Sequence, residues 1–302
     1  DDVILNPGTS IIVELIGGEY PALEYIRKAI IAGKHVVTAN KEVIAKHGPE
    51  LSALATNHGV ALRFEASVGG GSPIISPMVN DLQANKIDSI RAIINGTTNF
   101  ILSKMSTENL DFNTALDQAQ HLGLAEPDPT SDVEGIDATY KLTILASLAF
   151  NAHINSADIF REGITHITAK DFRYAHELNY EIKLLAIGKL DKDHTLQVRV
   201  HPVFLPLGSP LSKIEGSSNA IEIQGDLVNP VIFSGPGAGA TPTISSILSD
   251  TASLVSLIRR QAQSQSIKEI YLKNQFNDNE EISISPMPEL ETCYYMRLNV
   301  ED

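Results

Sequence analysis

Over its first 66 residues the chain alternates between β-rich apolar runs and stretches of helical period, and this alternation constrains its fold more than any other feature. Residues 11–16 (IIVELI) form a run that stops at Gly17-Gly18. Such a run is expected to be a fully buried strand of a parallel sheet. Pro21 stands where a helix can begin, and apolar side chains recur at helical spacing up to Gly33, a C-cap. Residues 35–38 read as the next strand, 41–57 as a helix with a break at Gly48-Pro49, and 60–66 as a third strand. Strand, helix, strand, helix, strand is the signature of parallel βαβ units.

From Ser67 the texture changes. Strands are predicted at 87–94, 196–203, 220–224 and 231–234, and helices at 112–121, 133–150 and 243–260. This second region reads as α+β with a partly antiparallel sheet. Residues 261–266 are polar and read as a linker, and the tail from Glu291 alternates weakly, like the first strand of a further small domain.

Composition excludes partners more readily than it names them. With 23 basic and 37 acidic side chains the formal net charge is −14, against broad contact with nucleic acid. An anionic cofactor stays possible, because a helix N-terminus and a few local cations hold phosphate against a global field. No apolar run reaches the length of a membrane-spanning helix. The single cysteine, Cys293, rules out an intrachain disulfide framework and fits a reducing, cytoplasmic setting. The nine histidines show no paired ligand spacing, and no GxSxG elbow appears.

Five motifs carry candidate chemistry. Thr38-Ala39-Asn40-Lys41 follows a strand at the sheet edge where open α/β sheets bind ligands. Lys41 could reach a phosphate or carboxylate there, or simply follow Asn40 as helix cap. In Glu65-Ala66-Ser67-Val68-Gly69-Gly70-Gly71-Ser72-Pro73, three glycines free the backbone to ligate a hard cation through carbonyls or to line a cofactor through amides. A tight turn before a helix is the plain alternative. Asn95-Gly96-Thr97-Thr98-Asn99 could bind a polar substrate, but capping of the following helix is the better reading. Gly235-Pro236-Gly237-Ala238-Gly239 is GxGxG rather than the GxGxxG dinucleotide fingerprint.

The fourth motif along the chain, residues 123–141, matters most: Glu126 and Asp132 precede Asp137 and Lys141, spaced i, i+4 on one helical face. A surface ion pair is the usual meaning of that spacing. Here the helix continues as LTILASLAF, apolar nearly all round, so the pair belongs to a buried segment where charges need partners. Burial can also bring a lysine toward the neutral pKa that general acid–base work requires.

The order VVTANK, EASVGGGSPII, INGTTNFIL, GLAEPDPTSDVEGIDATYKLTILA and GPGAGATPT resembles the homoserine dehydrogenase family from Asp1 to about Arg260. The resemblance implies reduction of L-aspartate 4-semialdehyde to L-homoserine with NADPH or NADH, on the route to threonine, methionine and isoleucine. It implies Lys141 as proton donor, Lys41 as a second lysine near cofactor and substrate, and Glu126 and Asp137 as holders of the substrate ammonium, with Asp132 in support. Gly123 and Gly239 would line the cofactor, NAD or NADP. Glu65, Val68, Gly70 and Ser72 would hold a sodium ion, the last three through main-chain carbonyls.

The implied architecture is an α/β chain: a partial Rossmann-type parallel sheet in residues 1–66, with 240–260 packing back on it, and an α+β substrate and dimerisation domain in 67–239. Residues 261–302 would be a linker and the first strand of a truncated ACT-like domain, and the GxGxxG turn would lie upstream of Asp1. A homodimer or dimer-based tetramer follows, acting on a small-molecule substrate without nucleic acid or membrane. A different Rossmann dehydrogenase is a weaker reading, since an aspartate-semialdehyde dehydrogenase needs a nucleophilic cysteine and Cys293 is in the wrong context. The cross-class alternative is a non-catalytic amino-acid-sensing protein on the same scaffold, which would have no use for a proton donor.

Overall fold

The apolar periods fold into two sheets bridged by helices in a computed structural model that describes residues 2–191, 193, 195–261, 276 and 282–298. After a short helix α1 (Asp2–Leu5), strands β1 (Ile11–Glu14), β2 (His35–Thr38) and β3 (Leu62–Arg63) pair in parallel in the order β1-β2-β3. The crossovers are α2 (Ala22–Ile31) and α3 (Lys41–Asn57). β2 is buried throughout, as a central parallel strand should be.

β1 departs from expectation. It lies at the edge of this sheet and is not fully buried, with Val13 exposed, because no described strand covers its outer side. β3 is also shorter than predicted: the chain leaves the ladder after Arg63 and enters a 3-10 turn at Glu65–Ser67. Pro49 does not break α3, whose two halves both bury apolar side chains, Val43 and Ile44 before it and Leu51 and Ala55 after.

The second sheet has six strands in the order β5-β7-β6-β4-β8-β9. These are β4 (Ile87–Ile93), β5 (Phe160–Arg161), β6 (Tyr180–Leu190), β7 (Leu196–Pro206), β8 (Ser218–Gly225) and β9 (Val231–Pro236). All neighbours are antiparallel except β5 and β7. Its helices are α4 (Gly96–Glu108), α5 (Phe112–His121), α6 (Thr130–Val133), α7 (Ile136–Ala149) and α8 (Ala169–Glu177). The main core contains Ile101, Leu142 and Phe172 from these helices and Ala92, Leu184, Val198 and Ile221 from one face of the sheet. The opposite face forms a separate cluster of Ile93, Leu185, Ile187, Leu205 and Ala220, to which none of these α-helices contributes but which the 3-10 turn Pro210–Lys213 joins through Leu211.

α9 (Ala240–Gln261) then returns to the parallel sheet, where Ile247, Leu254 and Leu257 pack with Val37 and Ala61. Residues 262–266 of the expected linker lie outside the described residues. The strand expected from Glu291 is not formed over residues 291–298, which have no ladder partner; residues 299–302 lie outside the description. Tyr295 instead stacks on Phe204 at 4.6 Å between ring centroids.

Candidate active site

The helices of the six-stranded sheet and the βαβ unit meet where α3 and α7 begin. Lys41 is the first residue of α3, and Asn40 fixes that start: its side chain accepts from the Val43 N–H at 3.1 Å and donates to the Gly18 carbonyl at 2.7 Å. The plain helix cap is therefore present, and it aims Lys41 at Asp137 of α7, with which it forms an ion pair.

Asp137 sits in the first turn of α7, after Gly135, whose φ of 75° turns the chain out of α6. An acid at that position is favoured by the helix dipole. Its side chain is buried, and each oxygen has its own cation. Oδ1 faces Lys41, while Oδ2 accepts from Lys141 Nζ at 2.7 Å. Lys141 Nζ also donates to the Ile94 carbonyl at 2.8 Å, at the end of β4. The i, i+4 pair is thus a buried site element rather than a surface ion pair.

Asp132, on α6, joins the same cluster. Asn95 Nδ2 donates to Asp132 Oδ1 at 2.7 Å and to Asp137 Oδ2 at 2.9 Å. The Asn95 side-chain oxygen caps α4, accepting from the Thr98 N–H at 2.8 Å. Reading Asn95-Gly96-Thr97-Thr98-Asn99 as a cap was correct but incomplete. The sequence carried no signal that one asparagine would hold two acids 37 and 42 residues away.

Charge in the cluster is set by opposing effects. Burial would raise the Asp137 carboxyl, but Lys141 and Lys41 outweigh it and hold the group well below the usual carboxylate range. Burial would lower Lys41, yet Asp137, with Asp132 and Glu126 further off, holds its ammonium above the ordinary value. Burial pushes Asp132 up, and the neighbouring Asp137 charge adds to that, against the Asn95 hydrogen bond. The cluster thus pairs a firmly ionised acid with one that protonates more readily. Glu126 is exposed, yet close enough for its charge to act on Lys41.

The glycine-rich turn is tied to α9 instead. Both oxygens of Glu65 are taken by backbone N–H groups, those of Ile74, Ile75 and Ser76 at 2.6, 2.9 and 2.8 Å. The Ser246 hydroxyl donates to the Gly70 carbonyl at 2.7 Å, and the Glu65 N–H donates to Asp250 at 2.9 Å. Gly70 has φ +60°, and a Cβ there would lie 2.5 Å from the Gly237 carbonyl oxygen. These glycines thus let two turns, 69–72 and 235–239, meet backbone to backbone. The Ser72 hydroxyl is buried beside them without a hydrogen-bond partner among the described residues.

The C-terminal edge of the parallel sheet, where open α/β sheets bind ligands, presents open backbone. Gly17 and Gly18 follow β1 with φ of 77° and 68° and open space where a Cβ would stand, so their backbone can be approached closely. Gly123, φ 71°, is equally open, while Gly239, φ 113°, sits at the N-terminal end of α9 with only Pro242 near its missing Cβ.

Comparison with known proteins identifies the family. The family described as "Homoserine dehydrogenase, NAD binding domain" matches residues 1–65, and the one described as "Homoserine dehydrogenase" matches residues 73–252. A homoserine dehydrogenase of Synechocystis sp. is 42% identical over 303 residues, covering 99% of this chain and 69% of that protein. The crystal structure of a homoserine dehydrogenase from Thiobacillus denitrificans superposes with a TM-score of 0.90 at 41% identity, covering 96% of this chain and 66% of that one. A hyperthermophilic archaeal homoserine dehydrogenase in complex with NADPH aligns with a TM-score of 0.71 at 32% identity, over 81% of this chain and 71% of that one. The chain thus spans about two thirds of the length of such relatives. With both its halves matched and its sheets superposed, the chain belongs to the homoserine dehydrogenase family.

Proposed function

We propose that this chain reduces L-aspartate 4-semialdehyde reversibly to L-homoserine with NADPH or NADH, a step toward threonine, methionine and isoleucine. The observation that carries the reading is the Lys41–Asp137–Lys141 cluster, in which one buried acid orients two lysines from different domains. The nicotinamide, when bound, supplies or accepts the hydride. Lys141 serves the oxygen of the carbonyl. Two of its three N–H bonds are committed to Asp137 and Ile94, and the third has no protein acceptor among the described residues. That N–H donates to the substrate oxygen as negative charge develops, and its proton passes to the product alkoxide.

Glu126, Asp132 and Asp137 hold the substrate ammonium, a role suited to acids. Lys41, partly exposed, faces the cofactor and the substrate carboxylate. Gly123 and Gly239 offer backbone to the dinucleotide. A sodium ion at the glycine-rich turn would be held by the main-chain oxygens of Glu65, Val68, Gly70 and Ser72, because the Glu65 carboxylate is already taken by three amides. The unpartnered Ser72 hydroxyl supports a further ligand there. The face of the six-stranded sheet opposite the α-helices, where Val203 and Ile232 are partly exposed, supports a homodimer, alone or as half of a tetramer.

The test follows NADPH and NADH oxidation with aspartate 4-semialdehyde, beside Lys141→Ala. Turnover that falls by about 100-fold or more in the variant, the weight of a general acid, supports the reading. A folded protein inert with both cofactors sinks it and leaves a sensing role as the better account.

A further inference from the structure

We infer that Asn95 is a positioning residue for the reaction, its carboxamide setting the plane of the Asp137 carboxylate and thereby the place of Lys141. This rests on the dehydrogenase reading of the site. The carboxamide can point only one way: its oxygen is held by the Thr98 N–H at 2.8 Å, so both hydrogens of Nδ2 face the acids. They meet Asp132 at 2.7 Å and Asp137 at 2.9 Å, one hydrogen for each carboxylate. Asn95 is itself buried.

Asp137 has one degree of freedom that matters, rotation of its carboxylate. Lys41 from α3 pulls on Oδ1 and Lys141 from α7 on Oδ2, and neither long side chain fixes that rotation alone. Asn95 approaches the Lys141-facing oxygen from a helix cap whose own position is set by α4. The same amide offsets repulsion between Asp132 and Asp137, which would otherwise drive Asp132 to protonate or swing away. Asn95 also follows Ile94, whose carbonyl is the second acceptor for Lys141. One short segment therefore places Lys141 directly through Ile94 and indirectly through Asp137.

A simple cap and a positioning residue are separable by substitution. Asn95→Ser keeps a good cap and removes the two donors. It should leave the unfolding transition near that of wild type. Its kcat should fall about 10- to 100-fold, the weight of hydrogen bonds to charged groups, with a smaller change in KM. Carboxyl-carbon NMR of the two aspartates, which needs no turnover, should show both titrating at higher pH than in wild type.

If the serine variant does not fold, Asn95→Asp decides the matter, since it keeps shape and cap while setting a third acid against the first two. Its activity should be lower still at neutral pH and recover as pH falls, because the protonated carboxyl again donates a hydrogen. A serine variant with unchanged kcat and unchanged titrations, or an aspartate variant that follows the wild-type pH profile, would reduce Asn95 to a cap. A wild-type protein without turnover would overturn the dehydrogenase reading, while the NMR titrations would still test the clamp.

Discussion

Asp137 holds two ammonium groups at once, and removing its charge leaves both without their main counter-ion. Breaking a buried ion pair at one partner typically costs about 3–5 kcal/mol, and partial exposure of Lys41 places this one toward the lower end. Asp137→Asn should therefore lose about 3 kcal/mol in urea denaturation at pH 7. The pH dependence has a definite sign. The folded carboxyl is depressed, so its contribution is fully present above the ordinary aspartate value and is lost as pH falls through the folded one. Wild type should lose this contribution on acidification below about pH 4, where Asp137→Asn has none left to lose, so the two stabilities should converge. Equal slopes would show that Asp137 does not titrate as placed. Asp132 runs the other way: its raised value means the folded state loses stability as pH climbs through it.

At the scale of elements, the return of α9 to the parallel sheet joins the two halves of the fold. Asp250 on α9 accepts from the Glu65 N–H but is buried near the Glu65 charge, and burial chiefly pushes it up to about 6. A raised carboxyl destabilises the folded state as pH rises through that range, so the latch is weaker at pH 8 than at pH 5. Asp250→Asn, which keeps an acceptor for the amide, should gain about 1–3 kcal/mol at pH 8 and little at pH 4. A loss at pH 8 would show that attraction to Arg63 outweighs the cost of burial. At the other contact of the same turn, Gly70→Ala sets a Cβ against the Gly237 carbonyl in a left-handed conformation. It should cost about 2–4 kcal/mol by denaturant midpoint, and a neutral result would mean the two turns separate easily.

These elements also mark what could be read in advance. α5 was predicted to the residue, and the i, i+4 pair of α7 was legible, because helical period and buried flanks are local signals. β6 was missed although it is the centre of the larger sheet. It buries side chains on both faces, so its apolar run does not alternate, and Lys183 interrupts that run while itself buried. Asn95 was legible as a cap and illegible as a clamp, since long-range contacts leave no trace in spacing.

For the whole molecule, the six-stranded sheet poses a question that the monomer does not answer. Its α-helices cover one face, while the other carries an apolar cluster, partly covered by the 3-10 turn Pro210–Lys213 and flanked by the Arg91–Glu222 pair, with Val203 and Ile232 partly exposed. A second copy on that face must bring together two chains each carrying a formal −14. Apolar burial would drive such a dimer against long-range repulsion, and salt screens repulsion beyond about 10 Å at 0.1 M while leaving apolar burial intact. Such a dimer, as proposed, should therefore tighten severalfold between low and high salt, measured by sedimentation over a concentration series. Val203→Glu would add an acid to each side of the contact and should shift the balance to monomer, with the parallel-sheet domain still folded. Association that weakens with salt would point to an interface held by ion pairs, such as the Arg91–Glu222 pair opened to the partner, rather than by the apolar strip. A protein monomeric at every salt concentration would leave this face without a partner and overturn the proposed dimer.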